Sequence, residues 1–129
     1  MDAFDADVLI YVASYDPRGD DVARLIDRPD SKDNCLGSVV LFSEVIGLPA
    51  DRVNAVEQLR LIEILGALDL KNVEVETAQL AAVMRAKYRL DTPDALHLAT
   101  AVLWGAERFH TNNRKDFAQR IDEIEIVFP

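Results

Sequence analysis

The chain has 129 residues, of which 50% are hydrophobic and 29% are charged, and its formal net charge is −9. This length matches one average domain, so we expect residues 1–129 to form a single domain around one core. The longest apolar run, residues 8–13, is far shorter than the roughly 20 residues that cross a bilayer, and no basic leader precedes it. We therefore expect neither a membrane span nor a secretory signal. The single cysteine, Cys35, cannot form an internal disulfide, which favours a reducing cytoplasm.

The basic side chains are concentrated in one part of the sequence. The negative net charge argues against a broad nucleic-acid surface, because phosphate binding depends on Lys and Arg. Residues 85–120, however, contain 7 basic and 4 acidic side chains, whereas residues 1–84 contain 7 basic and 16 acidic ones. The basic stretch includes Arg85, Lys87, Arg89, Arg114 and Lys115. Taken alone, it is typical of a solvated helix surface.

Turn-forming and apolar segments alternate along the chain in a strand and helix rhythm. Residues 3–6 predict a short first strand. Residues 8–15 favour a helix, although so short an apolar run is also compatible with an extension of the strand. A further helix is predicted over residues 18–27, then a polar loop over residues 29–34, and then an apolar strand over residues 37–42.

The second half of the chain continues the same alternation. Apolar side chains at three-residue steps predict a long amphipathic helix over residues 49–68. Thr92 is expected to cap a later helix, with Pro93 at its first position. The other predicted elements are a strand over 70–75, helices over 77–88 and 92–104, a strand over 108–111, a short helix over 113–121 and a strand over 124–128. This order predicts an α/β fold with three layers (α/β/α) and a mostly parallel sheet of about five strands.

Acidic residues stand where the predicted strands or loops lead into helices: Asp5, Glu44, Asp94 and Asp116. Each has an ordinary explanation as a helix-terminal acid, although Asp5 lies in an apolar setting where that explanation is weakest. Because a parallel sheet gathers the carboxyl ends of its strands at one edge, we expect the four acids to face one another. Clustered carboxylates raise each other's pKa unless a divalent cation neutralises them, and oxygen ligands suit Mg²⁺ or Mn²⁺.

Four segments of the chain resemble motifs of the PIN-domain family, and within it the VapC-type toxins of toxin–antitoxin pairs. The segments are residues 4–11, 43–45, 94–101 and 111–117, and the resemblance spans essentially the whole chain. It implies a PIN-like fold and an endoribonuclease that hydrolyses RNA phosphodiester bonds with Mg²⁺ or Mn²⁺. It also implies a cognate antitoxin protein as partner.

The resemblance also implies roles for individual side chains. Asp5 and Asp94 would be direct metal ligands, and Glu44 a ligand or a base that orients water. Asn113 stands where many relatives have Asp. The fourth group is therefore either Asp116, in a second-metal or outer role, or the neutral amide of Asn113.

Further residues are expected to support this site. Asp7 stands where relatives often have Asn and adds a carboxylate beside Asp5, while Thr111 and Asn113 would hydrogen-bond near the substrate. The basic stretch would contact RNA phosphates. His97 lies one turn after Asp94, but a histidine on a mostly apolar helix is more often structural and is left outside the predicted site.

Other features have less specific interpretations. His110 is expected to pack in the core or at a strand end, and the two histidines match no HExxH zinc pattern. Trp104 could stack on a base, but an aromatic at a helix end more commonly packs in the core. The apolar faces of residues 53–68 and 80–88 exceed what one small sheet face needs. They are compatible with a homodimer and equally with ordinary core packing.

Two alternatives to a nuclease remain open at this point. Asp5 and Asp7 could act as the nucleophile and acid of a haloacid-dehalogenase-like phosphatase. Leu9 opposes this, because those enzymes usually have Thr or Val there, and no later paired-aspartate motif follows. A catalytically silent PIN-like binding module is the other alternative, for which Asn113 is the only hint.

Overall fold

The computed structural model describes residues 1–129, which form five β-strands and eight α-helices. The strands are β1 Asp2–Phe4, β2 Cys35–Ser38, β3 Asp69–Lys71, β4 Arg108–His110 and β5 Glu125–Val127. The helices are α1 Ala6–Ala13, α2 Asp20–Ile26, α3 Ser31–Asn34, α4 Val40–Val45, α5 Ala55–Gly66, α6 Val75–Tyr88, α7 Thr92–Leu103 and α8 Arg114–Phe117. None of these helices is both long and apolar enough to span a bilayer.

The five strands form one sheet in the order β3-β2-β1-β4-β5, and every neighbouring pair is parallel. The predicted α/β sheet is thereby confirmed. Strands β2 and β3 lie on one side of β1, and β4 and β5, which follow later in the chain, lie on its other side. The carboxyl ends of β1 and β4 therefore flank the point where the strand order reverses, which is where ligands bind in open α/β sheets.

Alternate side chains of the strands pack on opposite faces of the sheet, as the two-residue period of a strand requires. Phe4 and Cys35 belong to a core shared with α1, α2, α4 and α5. Ala3, Leu36 and Phe109 belong to a second core with α6, α7 and α8. The three predicted layers are therefore present, and β1 is buried on both sides.

The second strand is shorter than predicted. It ends at Ser38, and the predicted strand over residues 37–42 is wrong in its second half, where α4 begins at Val40. Ser38 Oγ accepts a hydrogen bond from the Val40 amide at 3.1 Å, which supports the turn out of the strand. A short apolar run does not reveal its own period, so the sequence could not separate the strand from the helix. As a result, Glu44 lies on a helix and not directly at a strand end.

Several helix boundaries also differ from the predictions. The long helix begins at Ala55, because Asn54 caps it in a reciprocal arrangement with Glu57, and the predicted start at residue 49 is wrong. Helix α7 is capped by Asp91, one residue before the predicted Thr92. The predicted strand over 70–75 ends at Lys71, the predicted loop over 29–34 contains α3, and α8 ends at Phe117, before residue 121.

Side chains at the predicted core positions have mixed outcomes. His110 is buried and stacks on Phe4, as predicted. Trp104 is not a core residue, because 46% of its surface is exposed and the Lys71 ammonium lies over its ring. Three apolar side chains of α5 are also exposed, and they are Val56, Leu59 and Ile62. Core packing therefore does not account for this face of α5.

Candidate active site

Asp5 is the first residue after β1 and is held by neutral hydrogen-bond donors. Its Oδ1 accepts the Ala6 amide at 2.8 Å, which makes Asp5 the cap of α1, and its Oδ2 accepts Thr111 Oγ1 at 2.8 Å. The parallel pairing of β1 with β4 brings Thr111 to this position from the far end of the chain. Asp5 is only 5% exposed. A buried carboxylate is thus fixed at the carboxyl edge of the sheet without a positively charged hydrogen-bond donor.

Glu44 and His97 meet beside Asp5. Glu44 extends from α4, and its Oε1 contacts Nε2 of His97 on α7. One ligand atom from each of Asp5, Glu44 and His97 lies within 4.8 Å of the other two. From the sequence, His97 is expected to be structural and not part of the predicted metal site. Its position three residues after Asp94 was the available signal, because residues three apart share a helix face.

Asp94 and Asp116 are joined by Asn113. The Asn113 side-chain amide donates to Asp94 Oδ2 at 3.0 Å and to Asp116 Oδ2 at 2.9 Å. The Asn113 backbone amide donates to Thr111 Oγ1 at 3.0 Å, so the same turn also connects to Asp5. The structure therefore brings the predicted acids of β1, α7 and the turn after β4 into one hydrogen-bonded network.

Asp7 anchors the turn after β4 to the start of α1. Its Oδ1 accepts the Val8 amide at 2.7 Å and its Oδ2 accepts the Asn112 amide at 3.0 Å. The Asn112 side chain in turn donates to the Tyr11 hydroxyl at 2.8 Å. Sequence reasoning missed Tyr11 and Asn112, because nothing local indicates a contact between residues about a hundred positions apart.

The carboxyl groups at this edge have raised pKa values. Burial raises the pKa of Asp5 by more than the charge of His97 and the hydrogen bonds from Thr111 and Ala6 lower it. Burial, followed by the charges of Asp5, Asp91 and Asp116, raises the pKa of Asp94 to about 7. Burial and the charge of Asp5 likewise raise the pKa of Asp7 to about 6. Like charges in a poorly solvated place disfavour ionisation.

His97 is the one titratable base in direct contact with these acids. Burial disfavours its charged form, but the hydrogen bond with Glu44 and the charges of Asp5, Glu44 and Asp94 outweigh burial, so the pKa of His97 is raised. The contact between Glu44 and His97 is the only ion pair that involves Asp5, Glu44, Asp94 or Asp116. No Lys or Arg neutralises the cluster.

This set of donors fits a divalent cation. Carboxylate oxygens are the ligands that Mg²⁺ and Mn²⁺ accept, and an imidazole nitrogen is a ligand for transition ions. Buried carboxylates that no Lys or Arg neutralises also favour a bound cation over an empty site. Asp5, Glu44 and His97 can therefore hold a metal ion. Asp94 is connected to Asp5 through hydrogen bonds of Asn113 and Thr111.

A parallel α/β sheet with an acidic, metal-competent cluster at its carboxyl edge defines the class of this protein. The chain matches the PIN domain over residues 3–123, and it therefore belongs to the PIN domain family. This family membership places it outside the haloacid-dehalogenase-like phosphatases. A comparison with curated protein sequences finds no significant match.

Solved structures with the same fold come from toxin–antitoxin complexes. The chain is 27% identical to a chain of the "Toxin-antitoxin complex from Klebsiella pneumoniae", with a TM-score of 0.76, and the match covers 98% of this chain and 96% of that one. Chains of VapBC2 from Rickettsia felis and of VapBC from Salmonella typhimurium, both solved with DNA, each match with a TM-score of 0.72 at 17% identity. Each of these two matches also covers 98% of this chain and 96% of the other.

Proposed function

We propose that this protein is a metal-dependent endoribonuclease that hydrolyses RNA phosphodiester bonds, and that it is the toxin of a type II toxin–antitoxin system. One observation carries the proposal: buried carboxylates of Asp5 and Asp94 lie with Glu44 at the carboxyl edge of the sheet, without a Lys or Arg counter-charge. Membership of the PIN domain family and the likeness to toxin–antitoxin complexes support the proposed reaction and setting.

The proposed roles follow from burial and contacts. A bound Mg²⁺ or Mn²⁺ would supply an acidified water and stabilise negative charge on the phosphoryl oxygens. Asp5 and Asp94 are the proposed direct ligands, because both are buried and each accepts a hydrogen bond, from Thr111 and Asn113 respectively. The Glu44 side chain is 29% exposed, so it can also reach a water or the substrate. Asp116 is the proposed outer ligand, with Asn113 between it and Asp94.

The remaining predicted residues position these groups. Thr111 hydrogen-bonds both Asp5 and the backbone of Asn113, so it fixes the turn against β1. Asp7 holds the same turn through the Asn112 amide. We propose that these contacts keep the acids apart at a spacing that a cation can bridge.

The basic stretch offers cations for the RNA backbone. Arg85, Arg89 and Lys115 are exposed and belong to none of the ion pairs of the structure. Lys87 is paired with Glu123, and Arg114 donates to the Pro129 carbonyl. We therefore propose that the three unpaired cations, more than the other two, contact phosphates.

The proposed partners and setting follow from the same family. A cognate antitoxin is supported by the complexes to which the chain is similar. A homodimer is supported by Val56, Leu59 and Ile62, which are exposed at three-residue steps on α5. A single domain working in the cytoplasm completes the proposal, and the buried free thiol of Cys35 agrees with a reducing compartment.

A cleavage assay tests the proposal. The purified protein should cut single-stranded RNA with Mn²⁺ or Mg²⁺ and should stop when a chelator is added. Asp5→Asn, which keeps a helix-capping side chain, should lower the rate at least about 100-fold, in line with loss of an essential electrostatic group. Glu107→Gln is the matched control, because Glu107 is an exposed acid outside the cluster, and it should cut at the wild-type rate.

The other outcomes of this assay oppose the proposal. Cleavage that persists in chelator, or in Asp5→Asn, would contradict the assigned site. Turnover of small phosphomonoesters without RNA cleavage would indicate a phosphatase. Binding of an antitoxin without either reaction would indicate a catalytically silent PIN domain.

A further inference from the structure

His97 is a polar side chain whose only polar partner is a carboxylate of the candidate site. Its side chain is 1% exposed, and the residues that follow it on α7, Leu98 and Ala99, are fully buried. One ring nitrogen contacts Glu44, and the other, Nδ1, is buried without any hydrogen-bond partner. An unpaired buried nitrogen destabilises a fold, whereas a hydrocarbon of similar size would not. Core packing alone therefore does not explain a histidine here.

The spacing of the three donor atoms fits one shared ion. Ligands bound at about 2.1 Å on opposite sides of a small divalent ion lie about 4.2 Å apart. The ligand atoms of Asp5, Glu44 and His97 already lie within 4.8 Å of one another. Small side-chain movements would therefore bring all three onto a single ion, without rearrangement of β1, α4 or α7.

We propose that a ring nitrogen of His97 is a direct ligand of the metal, and that it makes this site prefer Mn²⁺ to Mg²⁺. This inference rests on the proposed function, in which the site binds a metal ion, and it adds a nitrogen ligand to the proposed carboxylate ligands. Mg²⁺ favours an all-oxygen shell, whereas first-row transition ions accept imidazole together with carboxylate. One nitrogen among the oxygen donors therefore lowers the affinity for Mg²⁺ relative to that for Mn²⁺.

A histidine that only positions Glu44 would give a different result. In that case the imidazole would keep its hydrogen bond with Glu44 when the metal binds, and no bond would form between nitrogen and the metal. Removal of such a positioning group would weaken Mg²⁺ and Mn²⁺ alike. A spectroscopic measurement of metal–nitrogen coupling separates the two roles.

The test is pulsed electron paramagnetic resonance of the full chain loaded with Mn²⁺. The wild-type protein should show nitrogen modulation from a directly bound imidazole, and labelling histidine with ¹⁵N should change that modulation to the ¹⁵N pattern. His97→Gln should abolish it. His110→Gln is the matched control, since His110 is a buried histidine bonded to Asp2, and it should keep the signal. The isotope comparison needs no variant, so it holds even if His97→Gln folds poorly.

Calorimetric titration gives a second readout. The affinity of the wild-type protein for Mn²⁺ should exceed that for Mg²⁺, and His97→Gln should lower the Mn²⁺ affinity about tenfold or more while changing the Mg²⁺ affinity much less. Bound Mn²⁺ without histidine coupling, or equal losses for the two ions, would overturn the nitrogen ligand and leave the proposed function standing. Histidine coupling in a protein that cuts no RNA would support the ligand and overturn the proposed function. Failure to bind either ion would overturn both.

Discussion

Strand β1 has a buried aspartate at its start and another just after its end, and the surroundings of the two carboxylates are opposite. Asp2 is 4% exposed and Asp5 is 5% exposed. Asp2 accepts two hydrogen bonds from Arg108, at 2.7 and 3.0 Å, and contacts His110 Nε2 at 2.7 Å. Asp5 accepts only from Thr111 and from a backbone amide.

The difference appears directly in the two pKa values. Burial by itself raises the pKa of Asp2, but the hydrogen bonds and charges of Arg108 and His110 outweigh burial and lower it. Burial also raises the pKa of Asp5, and there the charge of His97 and the hydrogen bonds from Thr111 and Ala6 offset burial only in part. The fold thus neutralises a buried charge where the charge is structural. At the carboxyl edge, no Lys or Arg neutralises the buried charge, so a cation from solution can bind there.

The largest expected effect of the difference between the two carboxyl environments is on how the stability of the metal-free protein depends on pH. Asp94 has a pKa of about 7 in the folded state against an ordinary 3.8, so the folded state binds the proton more tightly than the unfolded chain. Its contribution should lower the free energy of unfolding as the pH rises from about 4 to about 7, by on the order of 3 kcal/mol. Urea unfolding of the wild type and Asp94→Asn in chelator would measure this contribution as a difference between the two proteins.

Asp2, at the start of β1, is an internal control for the same measurement, because its pKa is shifted in the opposite direction. The pKa of Asp2 is lowered, so its contribution to stability is present above an ordinary pKa of 3.8 and is lost as the pH falls through its folded value. Adding Mn²⁺ should remove the loss of stability that Asp94 causes at pH 7, and it should have little effect on the free energy of unfolding at pH 4. A difference between wild type and Asp94→Asn that does not vary with pH would contradict the prediction.

The second expected effect is a loss of stability in Asp2→Asn. This change leaves Arg108 and His110 without their buried anion and should lower the free energy of unfolding by about 2–3 kcal/mol. That is less than for a fully buried pair, because the Arg108 side chain is 45% exposed. Chemical denaturation at pH 7 would measure it. Asp69→Asn, which breaks a partly exposed pair with Lys71, should change stability by less than about 1 kcal/mol.

The third expected effect has the opposite sign. Asp5→Asn removes a buried charge that its neighbours offset only in part, while asparagine caps a helix as well as aspartate does, so the metal-free protein should gain about 1 kcal/mol of stability. Mn²⁺ should then stabilise the variant much less than the wild type in thermal unfolding. A metal-free Asp5→Asn variant less stable than the wild type would show that His97 and the hydrogen bonds from Thr111 and Ala6 outweigh the burial of the Asp5 charge.

The smallest expected effect concerns the turn after β4. Asn113 caps α8 through the Asp116 amide, so Asn113→Ala should cost about 1 kcal/mol of stability. Asn113→Asp keeps a capping oxygen but places a further carboxylate beside Asp94 and Asp116. It should lower metal-free stability and raise Mn²⁺ affinity in calorimetry. Equal Mn²⁺ affinities for Asn113→Asp and wild type would place residue 113 outside the ion's reach.

Much of the fold could be predicted from the sequence, because strands and helices differ in period and in capping residues. The five-stranded α/β sheet is confirmed, as is a helix after β1. The predicted bounds of that segment are wrong, because β1 ends at Phe4 and not at residue 6, and α1 spans Ala6–Ala13 and not residues 8–15. The end of β2 could not be predicted, since Val39 to Phe42 is apolar in either conformation. Because β2 ends earlier than predicted, Glu44 lies on helix α4 and not at a strand end, although its side chain still lies near Asp5.

The sequence by itself determined that acids would gather at one edge, because consecutive parallel strands place their carboxyl ends together whatever the side-chain details. Only the tertiary structure decided which of those charges have partners. Three such contacts join residues that are far apart in the chain. Glu44 and His97 are 53 positions apart, and Asp2 and Arg108 are 106 positions apart, as are Asp5 and Thr111. Such contacts depend on how helices and strands pack across the sheet, and no local pattern in the chain records that packing.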